Sequence, residues 1–161
     1  MSGAINYNVR TLLLYPKSES RWWISVPLGY VIFLQILTGI PKPDGLREFN
    51  ANQVWVALSE ELFSYPFWLQ DLSHLPLFFL LAWSWCWYLG PASCGKSLFF
   101  CSASYFSFAY ACLSELSQFY VPMRFPSIGD LTMNLIGVLL GLIVYRRLCS
   151  TVDSHKLIQR S

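Results

Sequence analysis

Charged residues are scarce in this sequence, and their scarcity argues against several classes of protein. Only 12% of the 161 residues are charged, whereas soluble domains usually carry about 25%. The formal net charge is +2 and no basic stripe is interleaved with aromatic residues, which argues against a nucleic-acid binder. The five cysteines form no CxxC pair. An odd number of cysteines without regular spacing argues against a disulfide framework or a zinc site.

Long apolar runs take the place of the missing charge. Hydrophobic residues make up 55% and aromatic residues 17% of the chain. Residues 22–40 contain no charge, and as a helix they would span about 28 Å, close to the thickness of the hydrocarbon core of a bilayer. Backbone polar groups in hydrocarbon must bond within a helix. We therefore predict an all-α membrane protein, a bundle of four transmembrane helices over residues 22–40, 72–90, 97–120 and 130–148.

The uneven distribution of lysine and arginine predicts the orientation of this transmembrane domain (residues 22–148). Eight of the eleven lie in the N-terminal segment (1–21), in the second connection or near the C-terminal tail (149–161). By the positive-inside rule, both termini are cytoplasmic and the first and third connections face outward. The first run has no A-x-A cleavage site after it, so it is predicted to stay as an anchor rather than to be removed as a signal peptide.

The first outward connection contains a segment with helical periodicity. Its apolar residues fall on one face: Val54, Trp55, Leu58 and Leu62. Three aromatic residues follow: Tyr65, Phe67 and Trp68. The pattern predicts a short amphipathic helix at the outer membrane interface, anchored by these rings. An ordinary loop helix that covers the mouth of the bundle would explain the same pattern.

Glu115 is an ionisable residue inside the third predicted helix, where such a side chain is costly and normally has a partner. Gln118 shares its face of the helix. The predicted topology brings polar residues of three segments to one outward end of the bundle. There we predict a cluster that binds a ligand or has a structural role: Asp71, His74, Glu115, Gln118, Arg124, Ser127, Asp130 and Asn134. No catalytic residue, metal site or cofactor is predicted.

Several residues of this cluster also have a purely structural interpretation. Ser127 and Asp130 have the spacing of a capping box, with Ser127 as N-cap and Asp130 as its partner at position N3. Arg124 would then serve only as counter-ion to Glu115 or Asp130. His74 would be an interfacial histidine satisfied by its neighbours.

Small residues extend the polar stripe along the fourth predicted helix. Gly137 and Gly141 follow Asn134 at steps of three and four residues, which places them on the same face. Their spacing predicts a close contact between helices. Gln35, the isolated polar residue of the first predicted helix, is expected to form a hydrogen bond to another helix.

The spaced string of polar and small residues resembles the signature of the VanZ-like integral membrane proteins: Glu115-x-x-Gln118, then Arg124-x-x-Ser127-x-x-Asp130-x-x-x-Asn134-x-x-Gly137-x-x-x-Gly141. Asp71-x-x-His74 resembles the other recurrent motif of that family. The resemblance covers residues 71–147. Leu72 departs from it, because many relatives have a lysine after the aspartate, so any ion pair made by that lysine is missing here. The resemblance implies a multi-pass protein of the bacterial inner membrane, linked through the family's namesake to teicoplanin resistance and without an assigned reaction.

Three functions fit these observations. The first is a non-enzymatic protein whose outward pocket recognises a lipid-linked or glycopeptide ligand, or a headgroup, of the cell envelope. There Arg124 would bind an anionic group while Glu115 and Asn134 bond to polar groups. The second is a small accessory or structural subunit of a larger membrane complex. The third is an enzyme acting on a lipid-linked substrate, with Glu115 or His74 as general base. The bilayer itself is the one partner common to all three, and no nucleic acid is expected.

Overall fold

The computed structural model describes residues 9–16, 20–90 and 101–158. Within these ranges the chain forms α-helices, two short 3₁₀ turns and connecting loops, with no strand. The α-helices are α1 (Val9–Leu14), α2 (Ser25–Thr38), α3 (Pro43–Glu48), α4 (Gln53–Phe63), α5 (Phe67–Leu89), α6 (Ser102–Ser117) and α7 (Ile128–Ile158). The 3₁₀ turns, Arg21–Ile24 and Gln118–Tyr120, precede α2 and follow α6. The all-helical prediction is confirmed for the described chain.

The ends of the helices differ from those predicted from the apolar runs. Helix α5 begins at residue 67 rather than 72, and α7 runs to residue 158 rather than 148. A helix continues into polar sequence until a breaker stops it, and Pro66 is the residue directly before α5. Hydropathy marks where lipid would begin, not where helical hydrogen bonds end. The predicted start of the third helix at residue 97 and the lysine of the second connection lie outside the described residues.

Two of the described helices are long and apolar enough to cross a membrane. These are Phe67–Leu89, with a mean hydropathy of 1.2, and Ile128–Thr151, with a mean hydropathy of 1.8. Helices α2 and α6 are shorter, with 14 and 16 residues. The two long helices also make the most extensive helix contact in the described chain.

Glycines on α7 allow its backbone to approach α5 closely. A Cβ atom added at Gly137 would lie 2.4 Å from the carbonyl oxygen of Leu75, and one added at Gly141 would lie 2.6 Å from that of Phe79. No side chain fits at either position without displacing a helix. Pro76 lies in the same part of α5, where its ring removes the N–H that would bond to the carbonyl of residue 72.

Helix α1 is attached to the bundle through its last three carbonyl oxygens. Trp83 and Trp87, one turn apart on α5, donate their indole N–H groups to the carbonyls of residues 13 and 12, at 3.1 and 2.8 Å. The Tyr145 hydroxyl on α7 donates to the carbonyl of residue 14 at 2.6 Å. These carbonyls have no partner within a helix of only six residues. Three ring donors from two helices supply the missing hydrogen bonds.

Helix α4 packs on the protein through a serine and leaves its apolar residues exposed. Ser59 is fully buried, and its hydroxyl donates to the carbonyl of Pro41 at 2.7 Å. Val54, Trp55 and Leu58 are 71%, 51% and 43% exposed. The amphipathic helix therefore forms where the sequence predicts one, with Val54, Trp55 and Leu58 exposed and Leu62 partly buried.

Candidate functional site

Glu115 lies at the centre of a buried polar network at one end of the bundle, where α6 ends and α5 and α7 begin. We call this the polar end. One carboxylate oxygen accepts hydrogen bonds from Gln118 Nε2 at 3.3 Å and from Asn134 Nδ2 at 3.1 Å. The other accepts from the backbone N–H of Ser127 at 3.3 Å. Glu115, Gln118 and Asn134 are 4%, 1% and 0% exposed. The three hydrogen bonds that this buried carboxyl group accepts therefore come from neutral donors.

Asn134 connects α7 to both neighbouring helices. Its amide nitrogen donates to Glu115 on α6, and its amide oxygen lies 2.9 Å from Nδ1 of His74 on α5. His74 is 7% exposed and stacks on Phe78, with ring centroids 6.2 Å apart. The histidine is thus held in place from two sides. Side chains of three different helices meet through this one asparagine.

Ser127 is the N-cap of α7, but Asp130 is not its capping-box partner. The Ser127 hydroxyl accepts hydrogen bonds from the backbone N–H groups of Gly129 and Asp130, at 3.1 and 3.4 Å. The Ser127 N–H, which a capping box would pair with Asp130, donates to Glu115 instead. The Asp130 carboxyl faces α5, 4.0 Å from Nε2 of His74 and beside Asp71. The reciprocal bond predicted from the spacing is therefore wrong.

Arg124 lies outside this hydrogen-bond network, but Asp130 and Glu115 both attract its charge, as the counter-ion interpretation expects. One of its terminal nitrogens donates to the carbonyls of Thr38 and Ile40, at 3.0 and 3.3 Å. The described chain contains no salt bridge that includes Arg124. Burial lowers the pKa of its guanidinium, and the more distant carboxylates of Asp130 and Glu115 raise it. A guanidinium stays protonated throughout, so the half-buried charge is held mainly by carbonyl dipoles.

The ring of Phe63 covers the Arg124 guanidinium on another side, with 5.1 Å between the charge and the ring centroid. Such a cation–π contact adds attraction without using any N–H donor. The predicted cluster contained neither Phe63 nor the carbonyls of Thr38 and Ile40. Backbone carbonyls carry no signal in the sequence, and Phe63 resembles every other apolar residue near the end of α4.

A cavity of about 830 Å³ opens beside Arg124, between the end of α2, the end of α4 and the first half of α5. Arg124 and His74 belong to its wall, together with a majority of apolar residues. Glu115, Gln118, Ser127, Asp130 and Asn134 do not line it. The predicted cluster is therefore divided into a buried network and a cationic residue at an apolar cavity. Among the described residues no group of His, Cys, Asp and Glu side chains is placed to hold a metal ion.

These features define a class of protein, a helical one with a buried polar network at one end and an adjoining apolar cavity. They do not specify an activity. The comparison with protein families is more specific. The family model described as VanZ/LLP1 matches residues 24–150, and this chain belongs to that family. Family membership and the two apolar helices together indicate a membrane protein. No curated protein and no solved structure matches the chain.

Proposed function

We propose that this protein is a non-enzymatic, multi-pass protein of the bacterial inner membrane that binds an anionic cell-envelope ligand at its polar end, in a role related to glycopeptide resistance. The observation that carries the proposal is the position of Arg124, a half-buried cation at the wall of a large cavity. Such a guanidinium suits a phosphate or a carboxylate. Glu115, Gln118 and Asn134 are occupied with one another, so their part in the proposal is to hold the connection that carries Arg124.

Four membrane crossings are part of this proposal. Helix α2 with its preceding 3₁₀ turn, and α6 with its following one, each extend over about 30 Å, which approaches the thickness of the hydrocarbon core. The exposed apolar face of α4 would then lie on the outer membrane surface. The lysine and arginine distribution directs the polar end away from the cytoplasm. An envelope ligand would be accessible from that side.

The test compares Arg124→Gln with Arg124→Lys in a glycopeptide-sensitive bacterium that expresses the full chain. Glutamine can still donate to the carbonyls of Thr38 and Ile40 but carries no charge, whereas lysine keeps the charge. We expect the wild type and Arg124→Lys to raise the inhibitory concentration of teicoplanin, and Arg124→Gln to lose that effect. Arg47→Gln is the matched control, because Arg47 is exposed and paired with Asp44 and Glu60.

All variants must be compared at equal amounts in the membrane fraction. Resistance that Arg124→Gln retains in full would contradict an anion site at this residue. Loss of resistance in the Arg47 control as well would also contradict it, because the effect would then follow surface charge in general.

A second function, a structural or accessory subunit of a larger complex, is favoured by a different observation. Glu115 accepts hydrogen bonds from three donors of the chain, on Gln118, Ser127 and Asn134, and Glu115, Gln118 and Asn134 are almost completely buried. A network of this kind holds helices together without a ligand. Native mass spectrometry of the protein, extracted from its own membrane in a mild detergent, tests this alternative. A species of 18.5 kDa alone would contradict it.

A further inference from the structure

The cavity beside Arg124 has walls that suit an apolar chain. Eight of its fourteen lining residues are leucine, phenylalanine or proline: Leu37, Leu62, Phe63, Leu69, Leu72, Leu75, Pro76 and Leu77. They come from three helices, α2, α4 and α5. A volume of about 830 Å³ lies within the range of about 300–1,000 Å³ that holds whole small ligands. It is far larger than a single phosphate or carboxylate requires.

Four polar side chains of the wall use their hydrogen-bond donors within the protein. The Thr38 hydroxyl donates to the carbonyl four residues earlier in α2, and the Ser73 hydroxyl to the carbonyl three residues earlier in α5. The Gln70 amide nitrogen donates to the carbonyls of residues 63 and 65. The His74 ring is bonded to Asn134. The donors of these four groups are therefore already engaged within the protein.

Arg124 differs from these residues because its donor capacity exceeds its bonds. A guanidinium has five N–H donors, and the described contacts of Arg124 are two hydrogen bonds from one terminal nitrogen and a ring contact with Phe63. The described part of the chain provides no carboxylate within salt-bridge distance of it. The cavity therefore combines a long apolar surface with one cationic group, a pattern that matches an apolar chain with one anionic head.

The rim of the cavity has the composition of a membrane interface. Tyr65, Leu69 and Leu72 line the cavity and are also exposed, and the aromatic residues Phe67 and Trp68 beside them are 76% and 66% exposed. Exposed aromatic residues are typical of the headgroup level of a bilayer. A ligand already dissolved in the membrane could enter at this rim without crossing water.

We propose that the cavity binds an acyl chain of an anionic phospholipid, with the phosphate at Arg124. The acyl chain would lie among the leucines of α2, α4 and α5. The phosphate would bond to the guanidinium donors that face away from the carbonyls of Thr38 and Ile40. This inference rests on the proposed anion site and adds the apolar half of its ligand.

The experiment measures binding of three probes to the full-length protein in a neutral detergent by native mass spectrometry. The probes are dioleoyl-phosphatidylglycerol, dioleoylglycerol, which has the same acyl chains and no phosphate, and the soluble headgroup glycerophosphoglycerol. We expect phosphatidylglycerol to bind about tenfold more tightly than either of the others. Arg124→Gln should weaken binding of phosphatidylglycerol about tenfold, because charge-assisted hydrogen bonds to the phosphate are lost, and should leave binding of dioleoylglycerol unchanged.

The acyl half of the proposal is tested by filling the cavity. Leu69→Trp on α5 and Leu37→Phe on α2 should each weaken binding of both lipids about tenfold. Leu113→Trp on the exposed face of α6 and Arg47→Gln are the matched controls and should change nothing. Because the two cavity variants lie on different helices, either can test the acyl site if the other fails to fold. A melting temperature near that of the wild type identifies a folded variant.

The outcomes distinguish the two proposals. The soluble headgroup could bind as tightly as phosphatidylglycerol, with an affinity that depends on Arg124 and is unchanged in both cavity variants. That result would support the anion site and overturn the acyl site. If both lipids respond to the cavity variants but not to Arg124→Gln, the anion site is overturned and the phospholipid proposal with it. Binding that no variant alters would mean that lipid adheres to the outside of the bundle, which overturns the inference.

Discussion

A single methyl group added at Gly137 tests the contact between α5 and α7 on which the polar end depends. The Cβ atom of Gly137→Ala would lie 2.4 Å from the carbonyl oxygen of Leu75, and real Cβ atoms essentially never come closer than 3.0 Å to such an atom. The helices must therefore separate locally by at least about 0.6 Å. The obstacle is backbone within α5, so no side-chain rotation can relieve the clash. His74 directly precedes Leu75 in the chain and would move with it.

The expected cost follows from overpacking in a well-packed interior, which amounts to about 1–3 kcal/mol. For a chain of this length each kcal/mol changes the melting temperature by about 2–4 °C. Gly137→Ala should therefore melt about 2–12 °C below the wild type. Displacement of His74 from Asn134 would add to this loss, because their 2.9 Å hydrogen bond is buried.

Thermal unfolding of the purified protein in one detergent measures the effect, with Gly29→Ala as the matched control. Gly29 also lies within a helix, α2, but an added Cβ there meets no atom within 4 Å. Removing a glycine from a helix interior stabilises it by about 0.5–1 kcal/mol, so the control should melt at or slightly above the wild-type temperature. A Gly137→Ala protein that melts together with Gly29→Ala would refute the close approach of α5 and α7.

Three further changes test other contacts. Glu115→Gln places an amide N–H opposite one of the donors that bond to Glu115. It should lower the free energy of unfolding by about 1–3 kcal/mol, and unchanged thermal stability would contradict the network. Ser127→Ala removes the cap of α7 and should cost about 0.5–2 kcal/mol, whereas Thr132→Ala, on an exposed face one turn later, should be nearly neutral, so equal effects would argue against the cap. The double variant Trp83→Phe and Trp87→Phe keeps an aromatic ring at both positions but removes two of the donors to α1. A protease added to the solubilised protein should then cleave the N-terminal segment faster, and an unchanged rate would argue against the docking of α1.

The meeting of Glu115, Asn134 and His74 follows from rules that a sequence alone can supply. A buried carboxylate needs hydrogen-bond partners, and helical periodicity places Asp130 and Asn134 on one face of α7. The glycines on the same stripe identify the face that approaches another helix. Residues distant along the chain could therefore be assigned to one end of the bundle before their contacts were known. The partner of each donor could not be assigned, because several pairings satisfy the same spacing.

The capping of α7 shows why residue spacing alone does not determine which donor bonds to which acceptor. The spacing of Ser127 and Asp130 fits a capping box, and the Ser127 hydroxyl does cap the helix. The backbone N–H of Ser127 has two candidate acceptors. One is Asp130 in the first turn of α7, and the other is Glu115 on α6. Glu115 accepts it, which leaves Asp130 beside Asp71 and His74 on α5. Local sequence patterns describe local partners, and here the tertiary partner has replaced the local one.

The loop before Arg124 determines its direction, and that loop has no simple signature. Met123 has a φ of 60°, in the left-handed region, and the N–H of Arg124 bonds back to the carbonyl of Val121 at 3.1 Å. On the other side of the turn, a Cβ added at Gly45 in α3 would lie 3.2 Å from Pro122. The turn and this close contact direct Arg124 toward the end of α2. Charge alone would have paired it with an acidic residue.

The consequence is that Glu115 and Arg124 attract each other electrostatically without a direct salt bridge between them. Glu115 is surrounded by amide and backbone N–H donors, and Arg124 by carbonyl oxygens and a ring. A direct ion pair would have satisfied both groups and would have left nothing for a ligand. Because the Glu115 network is complete with neutral donors, it can stabilise the fold while Arg124 keeps unused donors at the cavity wall. This separation allows one set of residues to hold the helices together and a single neighbouring cation to bind an anion from outside.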